Sequence, residues 1–298
     1  MHILIAGGSG LIGSALSRSL RSDGHRVVAL VRREARGEDE VRWDPAAGVI
    51  DGDAVRAADV VVNLAGASIG DRRLTKAYQR VVLQSRLDST SLIARELAAK
   101  GAGVLIQGSA MGYYGDRGTE PLTEDSGPGD TFLSHIVTQW EAAARPAADA
   151  GVRVAYSRTG LVLSDHGGFA ARLLPLVRRG LLGSLGPGRA LHSWITLDDA
   201  VRGLRALIDS DHHGAANLVS PHPVSDRELI AAFSRAYGKR PGLPVPAWAL
   251  RLGIGPAIID LLSSQAGVPT VLESLGFAWE HPTIDEAARH VAALDSAS

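Results

Sequence analysis

The stretch "HILIAGGSGLIG" at residues 2–13 constrains the fold of this 298-residue chain more than any other. A short β-branched run ends in Gly7, Gly10 and Gly13, at G-x-x-G-x-x-G spacing. Leu11, Ile12, Ala15, Leu16 and Leu20 then fall at helical spacing. Strand, glycine turn and helix in direct succession suit a dinucleotide. One glycine serves the tight turn, one lets backbone approach a pyrophosphate, and one lets the helix pack closely on the strand. The helix N-terminus adds unpaired N–H groups for the phosphates.

The same alternation continues along the chain. "RVVALV" (26–31), "DVVVNLA" (59–65), "GVLIQGS" (103–109) and "VRVAYSR" (152–158) read as strands, with helical segments at about 76–100 and 131–149 between them. Continuous apolar strands between helices predict an α/β fold, a Rossmann-type doubly wound parallel sheet. After about residue 165 the rhythm changes to a helix interrupted by Pro175 and a glycine-rich loop. "LHSWITLDDA" then reads as a short strand and a helix with Asp198 as N-cap, and "SDRE" (225–228) and "TIDE" (283–286) each open a further helix. The expected division is a nucleotide-binding domain over 1–165, with returning segments from about 190–220, and a smaller, mainly α-helical substrate lobe over 166–298.

The end of the second strand bears on which dinucleotide is bound. A carboxylate there would accept a hydrogen bond from the adenosine ribose 2′-OH of NAD. This chain has Arg32 and Arg33 instead, and guanidinium groups suit a 2′-phosphate. The expected cofactor is NADP(H).

Composition excludes several function classes. A net charge of −1 gives no argument for nucleic acid or an anionic membrane as partner, so the expected partner is a small-molecule substrate. The absence of cysteine removes disulfides, thiolate metal sites and thiol nucleophiles. No metal site is expected either, because His212 and His213 have no further ligand at metal spacing. With no membrane-length apolar run and no leader pattern at Met1, a cytoplasmic location is expected.

Taken together, "GGSGLIG" (7–13), "RWDP" (42–45), "VVNLAGASI" (61–69), "SRLDST" (85–90), "SAMGYYG" (109–115), "FLSHIVTQWE" (132–141), "SRTGLVL" (157–163), "SWITLDDA" (193–200) and the Gly276–Trp279 segment resemble one family. It is the extended short-chain dehydrogenase/reductase superfamily, in its atypical "epimerase family" branch with a C-terminal domain of unknown function. The resemblance implies NADP(H) binding, with Gly7, Gly10, Leu11, Ile12 and Gly13 on the pyrophosphate and Arg32 and Arg33 on the 2′-phosphate. It implies that Leu64, Ala65 and Gly66 line the adenosine–ribose stretch, that Arg86 reaches the cofactor, and that Arg158, Thr159 and Gly160 border the nicotinamide. Ser109 stands where the superfamily's catalytic serine or threonine would. His192 and Trp194 lie in the region that closes over substrate in related members.

One departure from that family pattern concerns the proton donor. Active members carry a tyrosine and a lysine, separated by three residues, on the helix after the serine strand. Here that helix has neither, and the only lysines in the chain are Lys76, Lys100 and Lys239. The substitutes are Tyr113, with Arg117 four positions on, Tyr114, and His135 on the helix itself. The resulting expectation is an oxidoreductase or epimerase acting on a small polar carbonyl or nucleotide-sugar-like substrate. The alternative is a catalytically silent NADP(H)-binding regulator or scaffold.

Overall fold

The computed structural model describes residues 1–69, 72–246, 248 and 263–297, with backbone alone over 169–172. The first half of the chain runs β1 (His2–Ala6), α1 (Leu11–Ser22), β2 (Arg26–Val31), β3 (Glu40–Arg42), α2 (Gly52–Ala57), β4 (Val60–Asn63), α3 (Lys76–Lys100) and β5 (Val104–Ala110). A 3-10 turn (Met111–Tyr114), β6 (Pro121–Leu122), α4 (Phe132–Ala142), α5 (Arg145–Asp149) and β7 (Arg153–Thr159) follow. The second half runs β8 (Leu161–Leu163), α6 (Gly168–Arg178), β9 (Leu182–Leu185), β10 (Leu191–His192), β11 (Trp194–Thr196), α7 (Leu197–Asp209), β12 (Gly214–Leu218), β13 (Val224–Ser225) and α8 (Asp226–Ala236). It ends with β14 (Leu243–Val245), β15 (Ala266–Gly267), α9 (Thr270–Ser274) and α10 (Ile284–Ala297).

Seven parallel strands form one sheet in the order β12–β7–β5–β4–β1–β2–β3. The sequence of β1 shows why both faces are covered. Ile3 and Ile5 pack with α1 and α7, whereas Leu4 and Ala6 pack with α2 and α3 on the other side. Successive strand residues point to opposite faces, so a strand buried on both must be apolar throughout. Each large aliphatic side chain buried this way contributes on the order of 1.5–3 kcal/mol. β1 lies between β2 and β4, so the chain reverses its direction of strand addition there, which opens a crevice at the strand C-termini.

The long helix α3 has clear end signals. Thr75 accepts from the Tyr78 N–H at its start, and Gly101 takes the left-handed conformation (φ +67°) at its end. The helical segment expected over 131–149 is two helices, α4 and α5, because Pro146 sits at the start of the second.

The C-terminal part, expected to be mainly α-helical, mixes short strands with its helices. α6, α8 and α10 share a core with β8, β9 and β11, and the described residues include the two-stranded pairings β9–β14, β10–β13 and β6–β15. Part of the helical tail expected after Gly242 (247 and 249–262) lies outside the described residues. Asp198 is not the N-cap of α7: Thr196 is, accepting from the Asp199 N–H. Ser225 and Glu228 form the expected capping box at α8. No helix among the described residues is long and apolar enough to cross a membrane.

Candidate dinucleotide cleft and the serine–tyrosine end

A cleft of about 690 Å³ opens at the C-terminal ends of β1, β2 and β4. Its floor is the glycine turn. Gly7 has φ +84°, and a Cβ there would lie 2.7 Å from the Leu64 carbonyl carbon and oxygen. A Cβ on Gly13 would lie 2.3 Å from the Gly7 oxygen, so α1 can approach β1 only without that side chain. α1 starts from Gly10 with no side-chain cap and no acid in its first turn. Its first intrahelical bond runs from the Ser14 N–H to the Gly10 oxygen, which leaves the amides of Leu11, Ile12 and Gly13 for an anion. This geometry fits a pyrophosphate.

The walls place most of the remaining predicted cofactor residues. Arg32, Arg33, Leu64, Ala65 and Gly66 line the cleft. Arg32 is exposed and has no hydrogen bond or ion pair among the described residues. Arg33 is committed: its two terminal nitrogens each reach a Glu40 oxygen at 2.6 Å. That guanidinium, with the Arg36 backbone N–H, holds the Glu40 carboxyl down at about 2. Trp43, Asp44, Pro45 and Ala46 also line the cleft, together with Ser85, Asp88 and Ser89 of α3. None of these was expected as a site residue, although "RWDP" and "SRLDST" were visible as blocks.

Arg86 is not in the cleft wall. It donates to the Ala67 and Val82 carbonyl oxygens and stacks over the Trp140 ring at 4.8 Å. Burial lowers its pKa to about 10. It thereby ties the 64–67 loop to α3.

The serine–tyrosine end is a closed polar network. Ser109 points to the α4 face of the sheet and donates to Glu141 Oε1 at 2.5 Å, with 6% of its surface exposed. Arg158 meets the same carboxylate through Nε and Nη2, both at 2.9 Å, and is 4% exposed. Burial works to lower the Arg158 pKa, but the Glu141 carboxylate outweighs it and the net shift is upward. Arg158 Nη1 donates to the Tyr114 hydroxyl at 2.9 Å, and that hydroxyl donates to Asn217 Oδ1 at 2.7 Å. Burial pushes Tyr114 up to about 12.

These contacts give Ser109 and Tyr114 protein partners within one network, and Arg158 braces β7 against α4. Thr159 donates locally to the Ser157 oxygen, and Gly160 is held against Ser193, whose oxygen would lie 2.7 Å from a Cβ. Tyr113 is different. It is half-buried, its hydroxyl has no hydrogen bond among the described residues, and the Arg158 guanidinium lies 3.5 Å from its ring centroid.

α4 carries Leu133 and Val137, four residues apart, against the turn that follows β5: both would contact a Cβ on Gly112. An apolar pair thus occupies that helix spacing. Arg117, the cation four residues after Tyr113, pairs bidentately with Glu120. His135 is exposed and pairs with Asp130 at 3.1 Å, so it is a surface residue, not a pocket acid. Trp194 is fully buried in the lobe core and donates to the His222 oxygen. It does not line a pocket. His192 is half-buried, 3.8 Å from Asp226, and desolvation there lowers its pKa to about 4.

Comparison with known proteins agrees with this picture. Residues 3–219 match the NAD dependent epimerase/dehydratase family, and residues 245–291 match a domain of unknown function, DUF1731. An epimerase family protein of Mycobacterium bovis is 40% identical over 287 residues, covering 96% of this chain and 95% of that one. The crystal structure of human epimerase family protein SDR39U1 with NADPH is similar at a TM-score of 0.88 and 32% identity, covering 98% and 99% of the two chains. A nucleoside-diphosphate sugar epimerase from Corynebacterium glutamicum is similar at a TM-score of 0.78 and 33% identity, over 98% of this chain and 58% of that one. With its glycine turn, parallel sheet and C-terminal match, this chain belongs to the NAD dependent epimerase/dehydratase family.

Proposed function

We propose that this protein is an NADP(H)-dependent oxidoreductase acting on a small polar carbonyl compound without a tyrosine–lysine pair. The observation that carries the cofactor assignment is Arg32, exposed on the cleft wall with no partner among the described residues. Arg33 beside it is already neutralised by Glu40, so a 2′-phosphate would complete Arg32. The NADPH in the human relative's structure supports this reading.

When bound, the nicotinamide supplies or accepts hydride at the substrate carbon. The chain's own part is to hold the proton. Tyr113 is the tyrosine of the β5 turn with an uncommitted hydroxyl, and Arg158 packed on its ring face fixes the ring's orientation. The Tyr113 hydroxyl gives its proton to the carbonyl oxygen in reduction and regains it from solvent.

Fluorescence titration tests the first half. NADPH should bind more tightly than NADH, and Arg32→Ala should weaken NADPH roughly 10- to 100-fold while leaving NADH unchanged, as expected for one charge-assisted contact. Equal affinity for the two dinucleotides would overturn the assignment. Stopped-flow oxidation of bound NADPH against a carbonyl library tests the second half, with turnover expected in the wild type and lost in Tyr113→Phe.

A second reading is a cofactor-binding protein with no turnover. The Leu133–Val137 pair and the consumption of Ser109 and Tyr114 by Glu141 and Asn217 favour it. NADPH binding without oxidation by any carbonyl would establish it.

A further inference from the structure

Three side chains far apart in sequence meet where α7 faces α10. The ligand-type atoms of Asp198, His281 and His290 all lie within 4.8 Å of one another. His290 Nε2 stands 2.7 Å from Asp198 Oδ2, and the His281 and His290 rings stack with centroids 4.1 Å apart. The backbone beneath them is fixed. Asp199 is wholly buried and accepts the Glu280 N–H at Oδ1 and the His281 N–H at Oδ2. α10 in turn starts from reciprocal bonds between Thr283 and Glu286. His281 is thereby anchored directly to the residue after Asp198.

We propose that Asp198, His281 and His290 bind one divalent cation of zinc type, which ties the C-terminal segment to the nucleotide-binding domain. Two imidazole nitrogens and a carboxylate oxygen are a zinc donor set, at bond lengths of about 2.0–2.2 Å. In a tetrahedral site such ligands stand about 3.3 Å apart; the Asp198–His290 contact is shorter, at 2.7 Å, and every separation is within 4.8 Å. Binding therefore needs the Asp198–His290 contact to open slightly. All three side chains retain solvent exposure.

Charge of both signs surrounds the site, and Arg289 beside Glu286 is the cation that an ion here would have to tolerate. Arg202 is engaged by Asp199 and faces Glu280. Glu286, one turn before His290 on α10, adds negative charge beside His281. A plain Asp198–His290 ion pair would need no third partner, whereas the stacked His281 brings a second ring nitrogen within reach. Asp198 lies in the segment matching the epimerase/dehydratase family, and both histidines lie in the C-terminal match. An ion here bridges the two.

The test uses the full chain, stripped with chelator and titrated with ZnCl2 by calorimetry and with CoCl2 by visible absorption. One ion per chain is expected, with a tetrahedral cobalt spectrum and a rise of a few degrees in the thermal midpoint. His281→Gln and His290→Gln should each weaken binding at least about tenfold and abolish the thermal shift, with NADPH affinity retained as the check on folding. Asp198→Asn, on an exposed first turn, carries the same expectation should either histidine variant fold poorly. His213→Gln should change nothing. Absence of binding, or binding lost in His213→Gln and kept in the other variants, overturns the proposal.

Discussion

The two ends of the crevice treat polar groups in opposite ways. At the adenosine end they are left unspent: amides of the first α1 turn lack intrahelical partners, and Arg32 stands alone on the wall of an open cleft. At the serine–tyrosine end Ser109, Glu141, Arg158, Tyr114 and Asn217 satisfy one another in a buried chain. Buried polar groups must be paired or they cost free energy, whereas groups reserved for a ligand must stay unpaired. Both ends hold an arginine and a serine, so residue type alone does not tell them apart. Pairing state separates the binding surface from the scaffolding.

The largest expected effect breaks the scaffold end. Glu141→Gln leaves the Arg158 charge without its counter-ion and should cost about 3–5 kcal/mol in urea unfolding. NADPH affinity should stay within about twofold, since the altered groups are remote from the adenosine cleft. A parallel collapse of NADPH affinity would show that the ends are one unit.

Next comes the pair of buried Asp226 and half-buried His192, where titration replaces permanent charge. Burial raises Asp226 to about 6, so the folded state holds that proton more tightly than the unfolded chain and stability falls as pH rises from about 4 to 6. Burial lowers His192 to about 4, so its contribution has the opposite sign: present above about 6.5 and lost as pH falls toward 4. Asp226→Asn should therefore gain roughly 2–3 kcal/mol at pH 8 and lose that gain by pH 4, as read from urea midpoints across pH. A flat difference across that range would show that Asp226 ionises normally in the fold.

The smallest effect sharpens the contrast from the solvent side. His135→Ala removes an exposed partner of Asp130 and should change stability by less than about 1 kcal/mol. Turnover and NADPH affinity should be unchanged, and a lost activity would restore His135 as the acid.

Much of the cofactor end is legible in the sequence itself. Gly7, Gly10 and Gly13 act within eight residues, where spacing and backbone conformation are nearly the same information. The missing lysine is legible too, because an absent residue type is absent in every fold. The partners of Arg86 and Arg158 are not legible in the sequence for the converse reason. Each sits in a block next to the cofactor strands, but its direction is set by Ala67, Trp140 and Glu141, groups supplied by other elements.

What the chain order determined alone is the alternation of buried strands and helices, the glycine turn between β1 and α1, and the arginines in place of an acid. Those are local properties, carried by neighbours along the backbone. The tertiary structure decided which arginine is free and which is bound to Glu40, which tyrosine keeps its hydroxyl, and that Asp198 meets His281 and His290. Each of these depends on side chains brought together by the fold, where no spacing rule reaches.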